Sequence, residues 1–234
     1  DQNDITNWTP GSTSTAASRR LQKGSRLVAG ANLIHTANIL WTDDSAYTMT
    51  YTGQRAAVYS TIIAGEKCGL IGPHAFFVVG GRAFWMSSFD FFMYGGTVQR
   101  IPNSDDIRDW VFDQLDGRQN WKMSAHYSSQ HNEGRWHFVP EGELEPTIYV
   151  AVSLDDFSWT HGTLERTAWA EKGGINPATY GSDHDGVIYK HEVGLDADGA
   201  ALSWHLESAP IDFTEGGIFD VHGYVPNFKR QTGD

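Results

Sequence analysis

Several kinds of residue are scarce in this 234-residue sequence, and each scarcity argues against a class of protein. A single cysteine, Cys68, rules out an intrachain disulfide framework. Apolar runs such as Ala75 to Val79 are far too short to cross a bilayer, so no membrane insertion is expected. Cationic residues are also few, with 17 Lys and Arg against 29 Asp and Glu. The resulting net charge of −12 argues against tight binding to nucleic-acid phosphates.

The sequence motifs of common enzyme active sites are missing as well. The chain has no GxSxG motif, no P-loop and no dinucleotide-binding GxGxxG motif. Its ten histidines are scattered, without an HExxH or HxH grouping, and most are interpreted as ordinary polar positions on strands and turns. We therefore predict that the protein is not an enzyme and that it holds no cofactor and no metal ion.

Two acidic turns, 183–186 (DHDG) and 196–199 (DADG), come nearest to a metal-binding pattern. They resemble fragments of calcium loops, but they lack the remaining ligands of such a loop, and tight hairpin turns are the favoured interpretation. The segment 182–189 also comes near the Asp-box turn of sialidase propellers. A carbohydrate-binding or sialidase-like propeller therefore stays open as an alternative, because paired carboxylates can converge from distant loops.

Aromatic residues and glycine are abundant, with 9 Trp, 9 Tyr, 12 Phe and 25 Gly. Short runs of alternating apolar and polar residues, separated by turn signals, predict many short antiparallel strands and an all-β fold. One short helix is predicted over 104–116, because Ser104 can cap it and Asp105 and Asp106 favour the positive end of its dipole. Gly117 is expected to end this helix.

A weak repeat organises the strands. A two-residue pattern ending in an aromatic residue recurs at Trp41, Trp85, Trp136 and Tyr180, at steps of 44, 51 and 44 residues. A period in the forties with four strands per unit predicts β-propeller blades, and a β-sandwich is the alternative. The predicted blades are listed by residue number as 27–55, 56–102, 119–163 and 164–206, with the helix inserted between the second and the third. Residues 1–234 would form one propeller-like domain or the C-terminal part of a larger one.

The stretch Phe84 to Gly96 (FWMSSFDFFMYGG) allows two interpretations: a groove lined with rings, or part of one blade. It aligns with 40–53 one period earlier, which favours strand, turn and strand, with most of its aromatic rings buried. Cys68, in an apolar context, is interpreted as a small buried hydrophobic residue. The residues expected to matter most for structure or assembly are Trp41, Trp85, Trp136, Trp159, Trp169 and Tyr180.

Six segments together resemble one family of virion proteins. They are 4–30, 40–53, 67–102, 106–116, 158–174 and 180–194. Over most of the chain they look like the packaged-DNA stabilisation or tail-nozzle proteins of short-tailed bacteriophages. The resemblance is a pattern of structural repeats and includes no catalytic fingerprint.

The resemblance implies a β-propeller-containing subunit of the phage tail. Six copies would form a ring beneath the portal and adaptor proteins, continue the tail tube and help to retain or deliver the packaged genome. Tail fibres, spikes or a needle would attach around or below the ring, and DNA would pass through the lumen without specific binding. The expected location is the virion tail, assembled in the host cytoplasm. The acidic composition agrees with a lumen that repels DNA.

Overall fold

The computed structural model describes residues 6–11, 14–34, 37–54, 58–174, 176–194, 196–197 and 199–201. The chain divides into two compact units, residues 1–191 and 192–234. Strands dominate the described residues, and the predicted all-β class is confirmed. None of the helices in this part of the chain is long and apolar enough to span a membrane.

The described residues of the first unit form four antiparallel sheets, each built from strands that are consecutive in sequence. The first sheet consists of β1 (Leu27–Ile34), β2 (Ala37–Thr42), β3 (Ala46–Tyr51) and β4 (Tyr59–Gly65). The second consists of β5 (Phe76–Val79), β6 (Arg82–Met86), β7 (Phe91–Tyr94) and β8 (Val98–Arg100). The third consists of β9 (Ser124–Ser128), β10 (Glu133–Phe138), β11 (Ile148–Ser153) and β12 (Trp159–Thr163). The fourth has three strands, β13 (Ala168–Ala170), β14 (Tyr180–Ser182) and β15 (Ile188–Lys190).

The sheets do not begin and end where the predicted units do. The first sheet continues to Gly65, past residue 55, because β4 pairs with β3 through contacts such as Thr48 with Ile62. The fourth sheet ends at Lys190, within the predicted unit 164–206. Within the second unit, β16 (Asp196–Ala197) and β17 (Ala200–Ala201) form a separate small hairpin.

The predicted helix is present as α1 (Asp105–Gln114). Ser104 precedes it and Asp105 and Asp106 lie in its first turn, as expected, although the Ser104 side chain makes no capping hydrogen bond. The expectation that Gly117 ends the helix is wrong. The helix stops before Leu115, and Gly117 instead opens a 3-10 helix (Gly117–Lys122) whose first turn is capped by the Asp116 carboxylate.

The repeated aromatic residues occupy the second strand of each of the four sheets in the first unit: Trp41 in β2, Trp85 in β6, Trp136 in β10 and Tyr180 in β14. The three tryptophans are fully buried. The indole N–H of Trp85 donates to the carbonyl oxygen of Cys68 at 2.7 Å, and that of Trp136 donates to the carbonyl of Ala75 at 3.0 Å. Each bond gives a buried indole N–H group an acceptor, and burying that group without one would cost free energy.

The stretch Phe84 to Gly96 belongs to the core, as predicted. Phe84, Trp85 and Phe91 are fully buried, whereas Phe89 in the intervening turn is exposed. Gly96 has a φ of 110°, a conformation that side chains disfavour, in the turn between β7 and β8. The interpretation of this stretch as an open groove is therefore wrong.

The four sheets pack face to face in series. On the second sheet, Phe76 and Trp85 lie opposite each other on one face and contact Trp41 of the first sheet, with ring centroids 4.7 and 5.5 Å away. On its other face, Phe77 packs 5.1 Å from Trp136 of the third sheet. The third sheet in turn uses its far face against Trp169 of the fourth. The second and third sheets are thus covered on both faces.

Candidate functional site

The face of the third sheet that turns away from Trp136 carries an unusual set of side chains. Side chains alternate along a strand, so His137 points opposite to Trp136, and the paired residues His126 and Arg135 share the face of His137. This face meets Trp169 of β13. The Trp169 ring stacks on His126 with centroids 4.1 Å apart, and the two imidazoles lie 5.2 Å apart.

Burial keeps both imidazoles neutral. Desolvation is the largest effect that lowers the pKa of His126, to about 2, and electrostatic repulsion by the nearby His137 and Arg135 lowers it further. Desolvation is also the largest effect on His137, and together with the positive charge of Arg135 it lowers the pKa of His137 to about 3. A backbone contact at Leu164 acts in the opposite direction and raises the pKa. The ring nitrogens of His126 have no hydrogen-bond partner in the described structure. Both rings therefore act as aromatic packing groups at neutral pH.

His126 and His137 are exceptions to the interpretation of most histidines as ordinary polar positions, because both are buried. Their burial depends on the fourth sheet, which is far from them in sequence. The sequence of β10 around His137 alternates polar and apolar residues (RWHF, 135–138), so it carries no local signal that this face is covered.

A groove opens next to this histidine cluster. Its volume is about 670 Å³, and its walls include Trp121 and Lys122 of the 3-10 helix, Ser124 of β9, and Trp169 of β13. His74 and Glu145, which lie in two loops, add an imidazole and a carboxylate to the walls of the groove. Trp169 thus takes part in both places, stacking on His126 and lining the groove.

The polar part of the groove is an ion pair. Lys122 Nζ lies 2.6 Å from Glu145 Oε1 and also donates to the carbonyl oxygen of Leu144. The Lys122 ammonium lies 5.4 Å from the centre of the Trp121 ring, which is 64% exposed. The pair ties the loop that carries Glu145 to the 3-10 helix, next to the largely exposed Trp121 ring.

The six residues predicted to matter for structure or assembly fall into two groups. Trp41, Trp85 and Trp136 are core residues that another subunit cannot reach. Trp159, Trp169 and Tyr180 are half-buried. Trp159 donates its indole N–H to the carbonyl oxygen of Pro102 at 2.9 Å and packs on Phe91.

The acidic turn 183–186 is a hairpin turn, as favoured from the sequence. One Asp183 carboxylate oxygen accepts the backbone N–H of Val187 at 2.9 Å, and the other accepts the Tyr189 hydroxyl at 3.1 Å. Gly186 adopts a φ of 83°. In the turn 196–199, Asp198 lies outside the described residues, and Asp196 accepts the N–H of Gly199 at 3.1 Å. Across the described ranges, no three His, Cys, Asp or Glu residues are grouped to hold a metal ion.

No family model matches the chain, and no curated protein matches it significantly. The resemblance to tail-nozzle proteins therefore gains no independent support from these comparisons.

Proposed function

We propose that the chain is a structural protein of a phage tail, a nozzle or tail-tube component that assembles into a ring around the DNA channel. The observation that carries this proposal is the serial stacking of four sheets through aromatic contacts, Trp41 to Trp85, Phe77 to Trp136, and Trp169 to His126. Such stacking makes a rigid subunit, and a tube that holds pressurised DNA needs rigid subunits.

The stacking also favours propeller blades over a β-sandwich. A sandwich encloses one core between the inner faces of two sheets, and the outer faces stay in water. Here the second sheet is covered by Trp41 on one face and by Trp136 on the other. Consecutive four-stranded antiparallel sheets, each packed on the next, are the pattern of blades arranged around an axis.

The charge of the chain supports a passive role toward DNA. The net charge of −12 repels phosphates, so DNA can slide past such a surface without being trapped. Portal and adaptor proteins above the ring, and fibres, spikes or a needle around or below it, are the partners that the proposal implies.

One exposed patch is suited to contacts between copies of the chain. Strand β4 is an edge strand of the first sheet, and it exposes Tyr59 and Ile62. Tyr51 on the adjacent strand is also exposed, and its ring lies 5.7 Å from that of Tyr59. Large apolar side chains exposed on an edge strand favour pairing with another chain.

Mass photometry and negative-stain electron microscopy of the purified chain test the proposal. We expect closed rings of identical subunits, six in number if the resemblance holds. Ile62→Glu should shift the population toward monomers, because it places a charge on the proposed contact. Leu144→Glu is the matched control, since Leu144 is comparably exposed but lies in a loop outside the sheets. A chain that remains monomeric at high concentration would overturn the proposal.

A further inference from the structure

We propose that the groove beside the 3-10 helix binds a neutral sugar, with one pyranose ring stacked on Trp121. This function is separate from ring assembly and does not depend on it. A volume of about 670 Å³ lies within the range of small-molecule sites and accommodates one or two sugar rings.

Trp121 is built as a platform. The repeated tryptophans of this chain are buried, whereas the Trp121 ring is open to solvent. The backbone beneath it is well held: the Asp116 carboxylate accepts the N–H of Arg118 at 3.0 Å at the start of the 3-10 helix. At its other end, the Asn120 carbonyl lies so close to Gly72 that a Cβ there would be 2.1 Å from the oxygen. The indole is thus presented by a backbone that is packed rather than loose.

The chemistry of the groove selects a neutral ligand with many hydroxyl groups. Lys122 and Glu145 neutralise each other, so neither an anion nor a cation finds an unpaired charge there. Together they offer donor hydrogens and carboxylate acceptors, and Ser124 and His74 add further polar groups to the walls.

A pyranose ring matches both parts of this surface. Its C–H groups form an apolar face, and their hydrogens carry a small positive partial charge. They therefore complement the negative face of an indole ring. Its hydroxyl groups can donate and accept at the same time, as the Lys122–Glu145 pair requires. Nucleotides fit less well, because Lys122, the one lysine among the described residues of the groove wall, is already paired and the chain is strongly acidic.

The test is titration of the full chain with neutral sugars, namely the methyl glycosides of glucose, galactose, mannose and N-acetylglucosamine and their common disaccharides. Saturation-transfer NMR and tryptophan fluorescence report binding. We expect saturable binding to at least one of them, with a Kd on the order of 1 mM. Sialyllactose and a short DNA oligonucleotide serve as charged competitors; exclusive binding of either would overturn the proposal.

Variants locate the site. Trp121→Ala should weaken binding by about 10-fold or more, and Trp121→Phe should weaken it less, because a smaller ring keeps part of the platform. Trp8→Ala is the matched control, since Trp8 is also a highly exposed tryptophan and does not line the groove. Binding that is unchanged in Trp121→Ala, or no saturable binding to any of the sugars, would overturn the proposal. Particle size by mass photometry should be the same for Trp121→Ala and the unmodified chain. A loss of sugar binding can then be distinguished from a loss of ring assembly.

Discussion

Gly134 of β10 lies directly against the ring of Phe77 of β5. A Cβ atom placed on Gly134 would be 1.9 Å from the Cζ atom of that ring, so only glycine allows the second and third sheets to approach this closely. The same phenylalanine packs on Phe84 and Trp136, both fully buried, and the ring has little room to withdraw.

Gly134→Ala should lower the free energy of unfolding by about 1–3 kcal/mol, because the added methyl group overpacks the interface. Gly117→Ala is the matched control, since a Cβ at Gly117 would meet no atom within 4 Å. Urea denaturation measures both. In a double-mutant cycle with Phe77→Leu the two effects should be strongly non-additive, and simple additivity would contradict the contact.

Trp85→Ala should cost about 3–5 kcal/mol of stability, because it leaves a cavity in the core and removes the donor to the Cys68 carbonyl. Thermal or chemical denaturation followed by circular dichroism measures the loss. Phe89→Ala, in the exposed turn of the same hairpin, should be nearly neutral by comparison. Equal losses for the two variants would show that the hairpin does not pack as described.

Stability should fall as the pH is lowered from 7.5 to 5.5. The pKa values of His126 and His137 are depressed in the folded protein from an ordinary value of 6.5, so the unfolded chain takes up protons first. Their stabilising contribution is present above that value and is lost as the pH falls below it. Each histidine should account for about 1.4 kcal/mol over this interval.

Denaturation midpoints measured across that pH range in His126→Leu and His137→Leu provide the check. Each variant should show a shallower pH dependence, whatever its absolute stability. His184→Gln is the control of opposite sign, because the exposed His184 has its pKa raised by Glu165, and its small contribution is lost as the pH rises. The carboxylates whose pKa values are lowered, such as Asp43 and Asp156, titrate below this window. A slope unchanged in both leucine variants would contradict the buried, neutral state.

Cys68 should be inert toward thiol reagents in the folded protein. Burial raises the pKa of its thiol to about 11, which suppresses the reactive thiolate, and the sulfur is shielded from solvent. A colorimetric thiol assay should find almost no reaction in buffer and one thiol per chain in denaturant. Rapid reaction in buffer would show that the connection between β4 and β5, which carries Cys68, opens readily.

The all-β class could be predicted because it depends on local patterns. The alternation of apolar and polar residues in strands such as β2 and β10 follows from the strand period of two, and turn residues separate the strands. The spacing of Trp41, Trp85 and Trp136 predicted that these residues occupy equivalent positions in successive units, because equivalent positions in repeated sheets face the same kind of core. The boundary near residue 55 could not be placed this way, because β4 lacks that aromatic signal and joins the first sheet through pairing with β3.

The candidate site could not be predicted from such local patterns. Whether His126 is a solvated strand residue or a ring stacked on Trp169 depends on which sheet covers that face, and no local period carries this information. The exposure of Trp121 and the pairing of Lys122 with Glu145 likewise arise where the 3-10 helix meets a distant loop. Composition and periodicity therefore set the strands and the aromatic core of this protein. Burial, charge pairing and the shape of the groove follow from contacts between segments far apart in the chain, and they exist only once the sheets have packed.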